Sequence, residues 1–435
     1  MITRLRLQHI GPAPELEVED FGARMNLVTG DNGLGKTFLL DACWYALTRT
    51  WADDKAFYPS PEVPKVPPPA IEYAVRGKIK EGENRAEYQF RDQTWKGRQA
   101  RPPMPGLVIY TRIDGGFSVW DPARNYWRDE DVEVDRPAAF QFSKEEVWNG
   151  LEQGEGERKS FICNGLLRDV ETWRARGNGA FALLQGVLER LSPDESEKLS
   201  LGEGVRVRLN DSRDIPTLKM PYGTVPVTQA AAGMRRVLAL AYLLVWAWDE
   251  HGRAAKLQKE EPTDRIVLLF DEVEAHLHPK WQRVFLPALI EVLESLLLEG
   301  HAESVQVIAT THSPLVLGSV ESLWIPEKDR LFDFDLEEGE VKFEEVDFER
   351  HGSPEHWLVS HSFDLPSGYP VDAQKAMERA DAFMEQYPNP DDAPGEEKAQ
   401  IHAQLMRALG GDDEYWPYWL PYYEQRERNR TGGTA

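Results

Sequence analysis

One stretch restricts this chain more than any other: Gly30-Asp31-Asn32-Gly33-Leu34-Gly35-Lys36-Thr37. It matches G-x-x-x-x-G-K-[ST], and its surroundings match too. The short apolar run Arg24-Met25-Asn26-Leu27-Val28-Thr29 leads into it. Phe38 to Leu47 follows with apolar residues at helical spacing and no breaker. Strand, glycine loop and helix in that order is the context a phosphate-binding loop needs. The glycines let the backbone curl so that successive N–H groups point inward at phosphate oxygens, and the helix adds the positive end of its dipole. At ordinary glycine usage a chance match is expected in on the order of 1–2% of chains this long, so a plain glycine-rich turn is the weaker alternative. Lys36 would reach the outer phosphates of a nucleoside triphosphate, and the Thr37 hydroxyl would ligate Mg²⁺.

Two further strand ends carry candidate chemistry. Ile266-Val267-Leu268-Leu269-Phe270 is an apolar run that delivers Asp271-Glu272 at its C-terminal end, where open α/β sheets bind ligands. Asp271 is the candidate metal carboxylate. Glu272 is the candidate base or orienting group for an attacking water. An acidic strand end alone would be structural, and it is the phosphate loop that gives it meaning. Val305 to Thr310 is a second apolar run, ending in Thr311-His312-Ser313-Pro314. A lone histidine is usually structural, but His312 at a strand end after Asp271-Glu272 is a candidate γ-phosphate contact.

Composition narrows the rest. Hydrophobic residues make up 41% of the 435, enough for a large core. The longest apolar stretch, Val237 to Trp248, is too short to span a bilayer, and the first residues already alternate like a strand rather than a signal peptide. A soluble, cytoplasmic protein is expected. Cys43 and Cys163 offer neither zinc spacing nor a disulfide framework. The formal net charge of −24 opposes a general nucleic-acid coat. Arg4/Arg6, Lys96/Arg98/Arg101 and Arg174/Arg176 read either as solvated faces or as parts of a local basic groove.

Along the chain the pattern divides as follows: residues 1–58 with the phosphate loop; a proline-rich linker over 59–69, through which no helix or central strand can run; a β-lobe over 70–142; an inserted helical lobe over 143–230; a second α/β part over 231–350; and an acidic helical tail over 351–435. No internal repeat and no long heptad series occurs.

Taken together, Gly30–Thr37, Ala232-Gly233-Met234-Arg235-Arg236, Phe270-Asp271-Glu272-Val273-Glu274-Ala275-His276-Leu277-His278-Pro279 and Thr311-His312-Ser313-Pro314 resemble the ABC-type ATPase heads of the SMC, RecF and OLD group. More closely, the chain resembles compact bacterial AAA-family ATPases of the AAA-21 or OLD-like type. The resemblance runs from Leu5 to about Leu365, and the Glu-Ala-His-Leu-His-Pro run is its most diagnostic piece. It implies an α/β fold, an ABC-type P-loop NTPase head with a β-rich lobe, an inserted helical lobe and a helical C-terminal tail. ATP and Mg²⁺ are the implied cofactors. Residues 30–37 would hold the phosphates, Thr37 and Asp271 the metal, and Glu272 and His312 would serve catalysis.

In such heads a signature loop reaches across a dimer to the other subunit's ATP. Its place here is Ala230 to Arg235, with Gly233 presenting a backbone N–H. Family members usually have Ser where this chain has Ala231, and Arg235 or Arg236 stands nearby as a substitute. Gln141 in Phe140-Gln141-Phe142-Ser143 is the candidate Q-loop residue. His276 and His278 read as a loop at a dimer interface rather than as metal ligands. The resemblance also implies what is missing: no SMC-type coiled coil, and no TOPRIM nuclease after residue 353. The expected protein is an ATP-driven homodimeric switch acting on a separately encoded effector, with Tyr415 to Tyr423 offering either an aromatic docking patch or internal packing. The alternative is a RecF-like factor that binds DNA. A third class, a scaffold with a dead site, is disfavoured by Glu272 and His312.

Overall fold

The structure is a computed structural model. It describes the chain apart from residues 55, 61–62, 64–65, 78–80, 98–103, 126–136, 155–158, 178, 298–303, 364 and 432–435. The chain divides into two compact units, Met1–Trp357 and Leu358–Ala435.

The larger unit is organised by an eight-stranded sheet. Its strands lie in the order Glu340–Val346, Asp329–Glu337, Met25–Gly30, Val305–Thr310, Ile266–Phe270, Leu107–Thr111, Phe117–Trp120 and Phe140–Phe142. The five strands from Asp329–Glu337 to Leu107–Thr111 run parallel, and antiparallel strands extend the sheet at both edges. Ile266–Phe270 and Val305–Thr310 are buried along their whole length. A parallel strand covered on both faces needs apolar side chains on both, which is why these runs do not alternate.

A second, five-stranded antiparallel sheet is ordered Glu15–Val18, Ile2–Gln8, Ala70–Arg76, Glu81–Gln89, Thr94–Gly97. The helix Lys36–Thr48 is sandwiched between the two sheets. Leu39, Leu40, Cys43 and Trp44 share one core with Leu5, Leu7 and Ile71 of the antiparallel sheet and with Val28, Tyr110, Leu269 and Ile308 of the parallel one. A helix apolar all round fits only such a covered position. Buried Gln306 brackets the two sheets: its amide accepts from the Ile2 N–H and donates to the Ile2 and Gly22 carbonyls, each at 2.9 Å.

The segment 70–142, expected as one β-lobe, therefore serves two sheets. Strands up to Gly97 complete the antiparallel sheet, whereas Leu107–Thr111 sits beside Ile266–Phe270 in the parallel one. Part of the proline-rich segment 59–69 lies outside the described residues, as do Arg98 and Arg101. Residues 143–230 contain the helices Lys144–Asn149, Leu166–Arg176 and Gly179–Leu191, together with a hairpin and a three-stranded sheet. A 27-residue helix, Ala232–Gln258, follows, and its middle from Val237 to Ala247 is buried. No described helix is long and apolar enough to cross a membrane.

The smaller unit is helical: Val371–Gln386, Gly395–Ala408 and Trp416–Thr431. Phe383, Ile401, Leu405, Trp416 and Trp419 form its core. Tyr415 is also buried, while Tyr418 is exposed. The aromatic run at 415–423 thus mainly packs internally rather than forming a docking patch.

Candidate functional site

The C-terminal ends of three adjacent parallel strands converge at one edge of the main sheet. Met25–Gly30 delivers the glycine loop, Val305–Thr310 delivers Thr311-His312, and Ile266–Phe270 delivers Asp271-Glu272. Parallel register puts all three ends on the same side, so residues far apart in sequence meet there.

The loop's glycines are required by geometry. Gly30 and Gly35 have φ of 117° and 112°. A Cβ at Gly30 would stand 2.1 Å from the Phe334 carbonyl oxygen, and one at Gly35 would stand 2.5 Å from Pro12. Leu34 anchors the loop in the core, while Asp31, Asn32 and Gly33 are exposed. The Lys36 ammonium lies over the loop and donates to the carbonyls of Gly30 (2.8 Å) and Asp31 (2.6 Å). Burial lowers its pKa, against the nearby carboxylates that raise it.

Thr37 and Asp271 face each other. The Thr37 hydroxyl donates to the Asp271 carboxylate at 2.9 Å, and Thr310 donates to it from the other side, also at 2.9 Å. Thr310 Oγ1 in turn accepts from the Glu272 N–H at 2.8 Å. Asp271 is buried, and desolvation raises its pKa against these hydrogen bonds. A hydroxyl and a carboxylate beside a phosphate loop suit a small hard cation such as Mg²⁺, which keeps several waters and takes few protein ligands.

Glu272 turns the chain sharply, with φ of 48°. That left-handed conformation costs a non-glycine residue roughly 1–2 kcal/mol. Arg236 supports it: Nη2 donates to the carbonyls of Asp271 (3.0 Å) and Glu272 (2.9 Å). The Glu272 carboxyl is half-buried, and its pKa is raised first by desolvation and then by the charges of Asp271 and Glu274. Half-buried His312 has its pKa lowered by burial and by Lys36, which favours the neutral imidazole near pH 7. The turn that carries it is held by Glu274, which accepts from the Thr311 hydroxyl (2.7 Å) and the His312 N–H (2.5 Å).

Of the expected residues, the structure brings Gly30 to Thr37, Asp271 and Glu272 together, with His312 on the neighbouring strand end. Gln141 is placed differently. Its amide accepts from Asp53 N–H (3.0 Å) and donates to the Trp51 carbonyl (3.2 Å), so it braces the turn after the loop helix rather than bonding to residues 30–37. Gly233 lies in the first turn of its helix, tight against the 273–278 turn of its own chain, where a Cβ would meet the His276 carbonyl oxygen at 2.5 Å. His278 caps the following helix by accepting from Lys280 N–H. The sequence reading missed Glu274 and Thr310 as supports, and gave Arg236 no role at its own Asp271-Glu272. The Glu-Ala-His-Leu-His-Pro run was the one signal pointing at Glu274.

Two family models match parts of the chain. Residues 4–158 match the AAA_23 family (AAA domain), and residues 174–318 match the AAA_21 family (AAA domain, putative AbiEii toxin, Type IV TA system). These matches place AAA-domain families on both parts of the chain that carry the loop and the strand ends described above. Among curated proteins it is similar to the retron Ec83 probable ATPase of Escherichia coli, 27% identical over 153 residues, which is 34% of this chain and 23% of that protein. It is also similar to the retron Vc95 probable ATPase of Vibrio cholerae serotype O1 biovar El Tor, 41% identical over 56 residues, or 13% and 9% of the two chains. The matches therefore span less than a quarter of those relatives' lengths. Similar solved structures include the SMC head domain from Thermotoga maritima, with a TM-score of 0.40, 13% identity and coverage of 80% of this chain and 99% of that one. Another is the SmcHead bound to the C-winged helix domain of ScpA, with a TM-score of 0.43, 14% identity and coverage of 80% and 98%. Superposition at these values is loose, and the assignment rests on the family matches and the site.

Proposed function

We propose that the chain binds and hydrolyses ATP as a homodimeric switch that controls a separately encoded effector. The observation that supports this best is the meeting of Lys36, Thr37, Asp271 and Glu272 at one sheet edge, with Thr37 and Asp271 already in contact. Lys36 exchanges the loop carbonyls for β- and γ-phosphate oxygens, alongside the loop N–H groups. Thr37 and Asp271 hold Mg²⁺, which would neutralise phosphate charge when bound. A water oxygen attacks the γ-phosphorus, its proton passes to the Glu272 carboxylate, and ADP leaves. Neutral His312 donates to a γ-phosphate oxygen. The exposed start of the Ala232–Gln258 helix, with Gly233, faces a second copy and completes that copy's site.

The effector reading draws on the retron names of the similar proteins and on the acidic balance of the chain; a role in defence against phage is part of it. The DNA-binding alternative loses support from the basic clusters. Arg4 pairs with Glu17, Arg6 with Glu15 and Glu17, Lys96 with Asp92 and Arg174 with Glu171. Co-purification from the native host, with and without ATP, tests the two readings. A stoichiometric protein partner whose retention depends on nucleotide is expected. Duplex DNA that binds at low salt and stimulates turnover, with no protein partner, would replace the switch reading with the DNA-binding one.

A further inference from the structure

We propose that the exposed segment Val205-Arg206-Val207-Arg208-Leu209 of the inserted lobe is where a protein partner docks, and that the partner supplies an extended segment in which apolar residues alternate with carboxylates. This rests on the effector reading above and names the surface and the chemistry of what it binds.

The lobe's three-stranded sheet is ordered Leu201–Arg206, Asp214–Met220, Gly223–Pro226, so Leu201–Arg206 is an edge strand. Its pairing with the next strand ends at Val205 opposite Ile215 and Arg206 opposite Asp214. The chain runs on through Val207, Arg208 and Leu209, whose N–H groups make no hydrogen bond among the described residues. Val205, Val207 and Leu209 are 41%, 37% and 100% exposed. A single exposed apolar residue is ordinary, but three at every second position beside a sheet edge are not. Edges are normally guarded, because unpaired backbone groups next to apolar side chains invite another chain.

The arginines between them decide what kind of chain. Arg206 and Arg208 are exposed and form no ion pair among the described residues. Arg206 donates to the carbonyls of Arg208 (3.4 Å) and Leu209 (3.2 Å). Asp211 lies within electrostatic reach of Arg208, but Arg213 occupies it through hydrogen bonds of 2.7, 3.0 and 3.2 Å. Residues 205–219 hold Arg206, Arg208, Arg213 and Lys219 against Asp211 and Asp214, in a chain of net charge −24. A second copy of the segment would set arginine against arginine, and like charges opposite one another are destabilising. A strand with Asp or Glu between apolar residues matches both the apolar positions and the charges.

A place for an anchoring side chain lies alongside. Val207 and Arg208 line a cleft of about 650 Å³ with Trp148, Leu167 and Ile215. Leu167 and Ile215 are buried, so its base is apolar, and Lys144 and Glu145 stand at its wall. An apolar pocket with a charged rim is where binding energy concentrates in protein interfaces.

Fluorescence anisotropy on the full chain tests this with three short labelled peptides. One alternates valine and glutamate, one alternates valine and lysine, and one has the first peptide's composition arranged in two blocks. The alternating glutamate peptide should bind with a Kd of about 10–100 µM, as expected of a small interface, and the other two about tenfold more weakly or less. Val207→Asp with Leu209→Asp should weaken it about tenfold. Arg206→Glu with Arg208→Glu should exchange the preference, making the lysine peptide the ligand. Thermal melts report that each variant is folded. If the charge-reversed chain is not, Arg206→Gln with Arg208→Gln takes its place and should erase the preference for glutamate over lysine. No binding up to about 1 mM, equal affinity for the alternating and block peptides, or a preference that the arginine substitutions leave unmoved overturns the proposal. An oligonucleotide that binds where the peptide does not, and is lost on charge reversal, overturns it in favour of a nucleic-acid surface. None of these titrations needs ATP. Co-purification from the native host separates the two levels. A partner retained equally by the parent and the charge-reversed chain overturns the docking surface and keeps the switch. No partner with either chain defeats the effector reading, while the peptides still decide the surface.

Discussion

Replacing Glu274 with alanine should disable turnover without removing nucleotide binding. Glu274 touches none of residues 30–37 in the hydrogen bonds described. It holds the turn that carries His312, through the Thr311 hydroxyl at 2.7 Å and the His312 N–H at 2.5 Å. Hydrogen bonds to a charged group contribute about 1.5–3 kcal/mol each. Both donors regain some bonding to water at this half-buried turn, so a net destabilisation of about 2–3 kcal/mol is expected. A His312 displaced by even an ångström costs on the order of 100-fold in rate. Glu274→Gln keeps the shape and removes the charge. It should retain most turnover, but its pH–rate profile should move. The Glu274 charge helps to raise the Glu272 pKa, so its loss lowers that pKa and shifts the acid limb of the profile to lower pH. Steady-state ATPase assays across pH, with nucleotide titrations and thermal melts, measure all three effects. An alanine variant with parent turnover and parent melting temperature would refute the assignment of this turn to Glu274.

Arg236→Ala should weaken the left-handed turn at Glu272 and reduce turnover, while Arg236→Lys, which keeps a donor but loses the planar guanidinium over the Phe270 ring, should recover only part of it; equal rates for parent and alanine variant in an ATPase assay would contradict this. Burial, with the charge of Asp271 adding to it, raises the Asp41 pKa from 3.8 to about 6. A carboxyl whose pKa is higher in the folded state favours folding below its unfolded value, and loses that contribution as pH rises through about 6. Asp41→Asn, which mimics the protonated form, should therefore melt like the parent near pH 4 and be more stable at pH 7 by up to about 3 kcal/mol. Melting curves that differ by the same amount at both pH values would count against it.

The parts legible in the sequence are those fixed by local physics. Leu268-Leu269-Phe270 reads as a covered strand because a central parallel strand needs apolar side chains on both faces, and the glycines at 30 and 35 read as a loop because φ and close packing exclude a Cβ. Pairing partners are not local. Leu107–Thr111 follows the strands of the antiparallel sheet in sequence, yet it crosses to the other sheet to lie beside Ile266–Phe270. The aromatics at 415–423 could have faced outward or inward, and only the packing of three helices decides that Trp419 is core. Arg236 and Glu274 support the site from 35 or more positions away in the chain, through a backbone carbonyl or N–H in each case. Such bonds leave no spacing pattern to read. Gln141 shows the converse: an amide at a plausible place was taken up by Trp51 and Asp53.

The central claim is a composite ATP site in which Glu272 activates water. It is tested most directly by Glu272→Gln in a single experiment: sedimentation with radiolabelled ATP, followed by analysis of the bound nucleotide. The account predicts that the variant binds ATP, sediments as a dimer and retains the nucleotide unhydrolysed. Hydrolysis at the parent rate would contradict the role of Glu272, and ATP retained on a monomer would contradict the composite site.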